Sequence, residues 1–252
     1  MVEKPWLILT LRRTGGTSLT GFLAKVSRFR TIEHEPFNRD RRLAHVTALC
    51  RDQDPKPLMQ GMCDALRDRP NIKHCFEFLP IALTMALITQ ADRQGYGIML
   101  LTRRDEAKRQ LSLAVAMATG AWGPDAAARI YPAIEAGEIT PPGIDLGALK
   151  ARVRQDYSAL GQVLALLRAR RIAHDWLLFE ELYNRPEALP DTLLAIASGL
   201  GVQVAPDDPR LEGLAGQRGQ DSARIAPRIG NHDQAADLLA RLCLRQDDFW
   251  SG

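Results

Sequence analysis

The chain has 252 residues, of which 46% are hydrophobic and 25% charged, close to the average soluble globular protein. That composition excludes a disordered chain, a collagen-like chain and a disulfide scaffold, and the length allows one large domain or two small ones. The formal net charge of +3 is too mild to argue for nucleic acid, and no basic run is interleaved with aromatics.

Of the 33 basic residues, 27 are Arg and six are Lys. The rigid guanidinium fork suits phosphate or sulfate, but high-GC codon usage explains the bias first. The four cysteines, Cys50, Cys63, Cys75 and Cys243, form no CxxC pair, so zinc and thioredoxin chemistry are not expected. Such sparse cysteines suit a reducing cytosol. The apolar run Trp6 to Leu11, followed by Arg12 and Arg13, is too short for the core of a signal peptide. No stretch approaches the roughly 18 apolar residues of a membrane span. A cytoplasmic protein without a transmembrane segment is expected.

In chain order, Trp6 to Leu11 reads as a buried strand and Thr17 to Val26 as a helix. Phe29 to Ile32 is a weaker strand, and Asn71 to Phe78 holds a third. Ile81 to Arg93 is apolar on most sides, as a buried helix is. Tyr96 to Leu101 is a strand after the turn signal at Gly95, and Asp105 to Thr119 is an amphipathic helix. Leu146 to Arg170 makes a long helix and Trp176 to Phe179 a further strand. Pro190 to Leu200 and Asp233 to Leu244 are the last helices. The segment Arg218 to Asn231 reads as a Gly/Arg-rich loop.

Alternating strands and helices imply a parallel sheet covered on both faces. The expected fold is α/β, three-layer α/β/α with a central, mostly parallel sheet, P-loop-like, in a single domain over residues 1–252. Sites in such folds lie beyond the C-terminal strand ends. That rule points to the segments after Leu11, Ile32 and Leu101.

The first of these is Leu11-Arg12-Arg13-Thr14-Gly15-Gly16-Thr17-Ser18-Leu19, between a strand and a helix. Two glycines permit a tight turn that exposes backbone N–H groups. The helix start adds unpaired N–H groups and a positive dipole end. Thr17 and Ser18 add hydroxyls, and Arg13 adds charge. Together they form a cradle for phosphate or sulfate. The alternative is a plain glycine turn with a threonine N-cap. The loop is not GxxxxGK[ST], because its basic residue precedes the glycines, and it is not GxGxxG. A nucleotide kinase or GTPase is therefore disfavoured.

Arg13 to Leu19 resembles the 5′-phosphosulfate loop of sulfotransferases that use 3′-phosphoadenosine 5′-phosphosulfate (PAPS), with Arg12 in place of the usual Pro and Arg13 in place of a common Lys. Arg104 and Ser112 match the spacing of the family's 3′-phosphate motif, an Arg at a strand end and a Ser eight residues on. Arg104-Asp105, Gln110, Ser112 and Trp122 resemble the bacterial trehalose-type branch. Weaker likenesses are Glu33 to Asn38 (the "EPF" segment), Leu178 to Leu182, Leu193 to Val202, and Arg228 to Asn231, which resembles a loop that closes over the nucleotide.

The resemblance implies sulfuryl transfer from PAPS to a hydroxyl of a carbohydrate or glycolipid acceptor, without a metal. Arg13 would stabilise charge on the departing bridging oxygen. Thr14, Gly15, Gly16, Thr17 and Ser18 would hold the 5′-phosphate. Arg104 and Ser112, with Arg228, would hold the 3′-phosphate. The base that takes the acceptor's proton would be Glu33, His34 or Glu35, with Glu35 favoured and His34 second; the alternative for the two glutamates is a pair of solvated loop carboxylates. His74 reads as a bonded core histidine, and His45, His174 and His232 as surface. Trp122 reads either as core or as a stacking surface. The acceptor pocket is expected in loops at His45 to Pro70 and Trp122 to Gly143. The alternatives are a non-catalytic nucleotide- or glycan-binding protein of the same fold, and a P-loop-like nucleotide kinase. A homodimer stays open.

Overall fold

The computed structural model describes residues 2–32, 35–51, 54–211 and 222–243. Its elements are β1 (Trp6–Thr10), α1 (Gly16–Val26), α2 (Ala44–Ala48), α3 (Pro55–Ala65), β2 (Ile72–Cys75) and α4 (Ile81–Arg93). There follow β3 (Gly97–Thr102), α5 (Glu106–Thr119), α6 (Pro124–Glu135), α7 (Leu146–Ala169), β4 (Asp175–Leu178), α8 (Phe179–Tyr183) and α9 (Leu189–Gly199). After the next described segment begins come α10 (Ser222–Ile225) and α11 (His232–Leu242).

The fold is α/β. Four strands form one sheet in the order β2-β1-β3-β4, and every pairing is parallel. β1 is buried along its whole length, as a central parallel strand with helices on both faces must be. The chain steps from β1 to β2 on one side, then crosses back to β3 on the other. Right-handed crossovers in opposite directions place their helices on opposite faces, and the packing agrees. Trp6, Ile8, Met99 and Leu101 share a core with Leu19 and Phe22 of α1 and with Leu193 of α9. On the other face, His74 of β2 places Nε2 2.8 Å from the Thr84 hydroxyl of α4. Strand order reverses at β1, so the crevice of this sheet opens at its C-terminal end.

The chain divides into two compact units, Met1–Thr102 with Ser158–Gln217, and Arg103–Tyr157 with Arg218–Gly252. The first holds the sheet. The second is organised around a core that includes Val115, Tyr131, Leu149, Val153, Ile225 and Leu239. Inside it the guanidinium of Arg109, fully buried, pairs with Glu106 (2.5 Å) and with Asp156. Gln110 Nε2 also donates to Asp156 (2.7 Å).

Three expectations need correction. Phe29 to Ile32 makes only an isolated bridge, Thr31 to Asn71, instead of a strand. The Asn71 side chain takes the bonds a ladder would make: its amide donates to the Phe29 carbonyl (2.9 Å) and its oxygen accepts from the Trp6 N–H (3.0 Å). The segments expected as acceptor loops carry helices, α2 and α3 in one and α6 in the other. Asp54 caps α3 by accepting from the Lys56 N–H (3.0 Å), with Pro at the start of the helix, and α6 begins at Pro124. Proline suits the first turn of a helix, so these prolines start helices instead of breaking them. The described part of Arg218 to Asn231 holds α10 and a 3-10 turn at Ala226–Arg228 in place of an open loop.

Candidate anion-binding site

The loop after β1 is built by its own hydroxyls. Thr14, 1% exposed, donates to the Leu11 carbonyl (2.7 Å) and meets the Thr10 hydroxyl, which reaches the Leu101 carbonyl of the neighbouring strand (3.1 Å). Gly15 then takes the left-handed conformation, φ 78°, and serves as N-cap of α1. A Cβ there would lie 2.3 Å from Cε2 of Tyr183. The Tyr183 hydroxyl donates to the Gly15 carbonyl (2.7 Å), which also accepts from the Leu19 N–H (3.4 Å). Glycine is therefore required by both conformation and space.

The helix that starts here has no side-chain cap and no acidic residue in its first turn. The threonine N-cap considered as an alternative is absent; Gly15 holds that position. An uncapped N-terminus presents N–H groups and a positive dipole end to an anion. Thr17 is exposed on this turn, and Ser18 is half-buried behind it.

The cation beside this turn is one the sequence reading did not select. Lys73 lies on β2 and pairs in register with Ile8 of β1. Its side chain is only 6% exposed, and Nζ sits 3.4 Å from the Thr17 hydroxyl and 3.0 Å from Glu35 Oε1. The available signal was a single lysine inside the strand expected within Asn71 to Phe78. A buried ammonium is costly without partners, so it marks an electrostatic demand nearby.

Glu35 completes the cluster. It accepts from Lys73, from the Asn38 amide (3.1 Å) and from the Cys75 thiol (3.2 Å). Burial alone would push its carboxyl up, but the Lys73 charge and these three hydrogen bonds hold it below its ordinary value. Burial, with the Glu77 and Glu35 carboxylates, pushes the Cys75 thiol up, so it stays a donor. Glu35 and Arg13 both have left-handed backbone, φ 57° and 71°. Such conformations cost a non-glycine residue about 1–2 kcal/mol and are held here by the surrounding contacts.

Arg12 and Arg13 have different settings. The Arg12 side chain is committed inward: its backbone N–H (2.9 Å) and Nε (2.7 Å) both donate to the buried Glu77, and its guanidinium lies over the Phe78 ring. Arg13 is half-buried at the bend of the loop.

Arg13, Gly15, Gly16, Thr17, Ser18 and Glu35 thus stand in the first unit, with Lys73 added. The Thr14 hydroxyl instead serves the loop. Glu33 and His34 lie outside the described residues. Arg104, Ser112 and Arg228 belong to the second unit. There Arg104 and Arg228 are exposed, and the Ser222 hydroxyl donates to that of Ser112 (2.8 Å). Trp122 is 49% exposed, a surface side chain and not core. His74 is fully buried, with burial lowering its pKa to about 4, so it is a neutral core residue. Among the described residues, no group of three or more His, Cys, Asp or Glu side chains is arranged to hold a metal ion. No helix among them is long and apolar enough to cross a membrane.

Comparisons with protein-family models, with curated proteins and with solved structures find no match to this chain.

Proposed function

We propose that the chain is a sulfotransferase, moving a sulfuryl group from PAPS to a hydroxyl of a carbohydrate or glycolipid. The observation that carries this reading is the uncapped turn at Gly15 to Ser18 with Lys73 Nζ 3.4 Å from the Thr17 hydroxyl. It adds a built anion cradle to the sequence resemblance at Arg13 to Leu19 and at Arg104 to Ser112.

Sulfuryl transfer breaks the bond from sulfur to the donor's bridging oxygen and forms one to the acceptor oxygen, which gives up its proton. Negative charge grows on the departing oxygen. Preorganised cations and N–H donors stabilise that charge without reorganising. In this reading the α1 N-terminus and Thr17 hold the 5′-phosphate, and Lys73 and Arg13 meet the developing charge. Glu35, ionised at neutral pH, takes the acceptor's proton. The resemblance assigns the 3′-phosphate to Arg104, Ser112 and Arg228.

Thermal shift with adenosine 3′,5′-bisphosphate, AMP and Mg-ATP tests the donor. Selective stabilisation by the bisphosphate is expected; equal or greater stabilisation by Mg-ATP would sink the reading and favour a kinase. Transfer of labelled sulfate from PAPS, lost in Arg13→Ala, tests the activity. The ion pair to Lys73 favours one second reading, a non-catalytic nucleotide-binding protein, because a carboxylate held below its ordinary range is a weaker base. That reading expects bisphosphate binding with no transfer to any acceptor.

A further inference from the structure

The first unit contains a cavity of about 610 Å³, lined by residues outside the anion-binding turn and partly by the segment from His45 expected to hold an acceptor. The volume falls within the roughly 300–1,000 Å³ of small-molecule sites. Its two walls grow from the segments that carry the candidate site. One wall is the stretch from Arg39 to Arg51, tied back where Thr47 donates to the Phe37 carbonyl (2.6 Å) and the Leu43 N–H to the Pro36 carbonyl (2.8 Å), directly after Glu35. The other is Leu79 and Pro80, directly after the turn that holds Glu77.

The lining has a definite chemistry. Arg39, His45 and Arg51 bring basic groups, and all three are exposed. Ala48, Leu79 and Pro80 supply apolar surface. Among the described residues, the lining includes no acidic side chain and no Phe, Tyr or Trp. The polar side chains of the lining are mainly the basic Arg39, His45 and Arg51, with Thr47 and Cys50 beside them, so an anionic group suits it better than a neutral sugar alone. A guanidinium fork matches carboxylate, phosphate or sulfate, and the apolar wall favours methylene groups.

We propose that this cavity binds an amphiphilic anion, an apolar chain joined to an anionic head, with Arg39 and Arg51 gripping the head. Such a molecule is the acceptor class; only that word rests on the sulfotransferase reading. The pocket then selects an acidic glycolipid over a free neutral sugar.

The test uses three probes: octyl β-D-glucuronide, octyl β-D-glucoside, which differs by one carboxylate, and free glucuronate, which lacks the chain. Each is titrated calorimetrically below its micelle concentration. Octyl glucuronide is expected to bind at least about tenfold more tightly than either other probe, as a charge-assisted fork contact should give. The Arg39→Gln/Arg51→Gln variant, whose changes lie on exposed side chains, is expected to melt like wild type. It should bind octyl glucuronide no better than octyl glucoside. Equal binding of the two octyl probes, glucuronate as tight as octyl glucuronide, no saturable binding of any probe, or a preference that survives in the double variant would each overturn the proposal. Bisphosphate thermal shift on the same samples separates the two readings. Preference without bisphosphate stabilisation leaves the pocket and removes the sulfotransferase; the reverse removes the pocket alone.

Discussion

Lys73 and Glu35 form an ion pair, Nζ to Oε1 3.0 Å, that joins a left-handed loop residue to a buried strand beside the first turn of α1. The ammonium is shared: the same Nζ is 3.4 Å from the Thr17 hydroxyl. An anion seated on the turn would therefore compete with the Glu35 carboxylate for one positive charge. Site occupancy and the protonation behaviour of Glu35 are linked through that shared partner.

Removing either partner should act in opposite directions on binding. Lys73→Met is expected to abolish stabilisation by adenosine 3′,5′-bisphosphate. If the chain is the enzyme proposed, it should also lower transfer by about 100- to 1,000-fold, the usual effect of losing a preorganised charge stabiliser. Glu35→Gln frees the ammonium and should tighten bisphosphate binding several-fold while lowering turnover. Titration calorimetry on both variants checks this; weaker bisphosphate binding in Glu35→Gln would refute the competition.

Acid should weaken the fold in two windows. His74 has its pKa lowered to about 4 by burial, against about 6.5 in the unfolded chain. Between these values the unfolded state binds more protons, so stability rises with pH there and falls on acidification. Glu35 is held below its ordinary value, so its contribution is complete above the carboxylate range and is lost as pH drops through its folded pKa. Urea midpoints measured from pH 7 down to pH 4 should decline in wild type. In His74→Asn the decline should be shallower, with a lower starting stability; an unchanged slope would show that His74 does not carry it.

Gly15→Ala should destabilise the loop by about 1–2 kcal/mol from the left-handed backbone alone, and by more from the clash with Tyr183, whose ring atom lies 2.3 Å from the new Cβ. Adding Tyr183→Ala relieves the clash but not the conformation. Thermal melts of the pair of variants should therefore show a coupling in which the double mutant costs less than the sum of the singles. Strict additivity would mean that the ring gives way freely.

In the second unit, Arg109→Met leaves Asp156, 1% exposed, without its guanidinium. Breaking a buried pair from one side costs about 3–5 kcal/mol. Arg109→Met/Asp156→Leu removes both charges and should recover part of that loss in denaturant unfolding. If the double variant is no more stable than the single, the pair is not the source.

Local order was legible in the residues themselves. Ile81–Arg93 is helical over the span its apolar pattern indicated, and Trp6–Thr10 and Gly97–Thr102 are strands where short apolar runs stood. The glycine turn between β1 and α1 was placed by the same reasoning. These features depend on backbone sterics and on periodic burial, both written in neighbouring residues. The prolines at Pro55 and Pro124 were ambiguous, because a proline can open a helix or end one, and only the surrounding packing chooses.

The partners in the candidate site were decided by the tertiary structure. Lys73 reaches Thr17 across 56 residues, and Tyr183 reaches Gly15 across 168. Which lysine faces the loop follows from β2 lying next to β1 in a register that puts Lys73 beside Ile8. A shift of one residue would turn His74 to that face instead. Strand order and register are set by the summed burial of the whole sheet. No local pattern encodes them, so the charge at the turn became visible only once the strands were assembled.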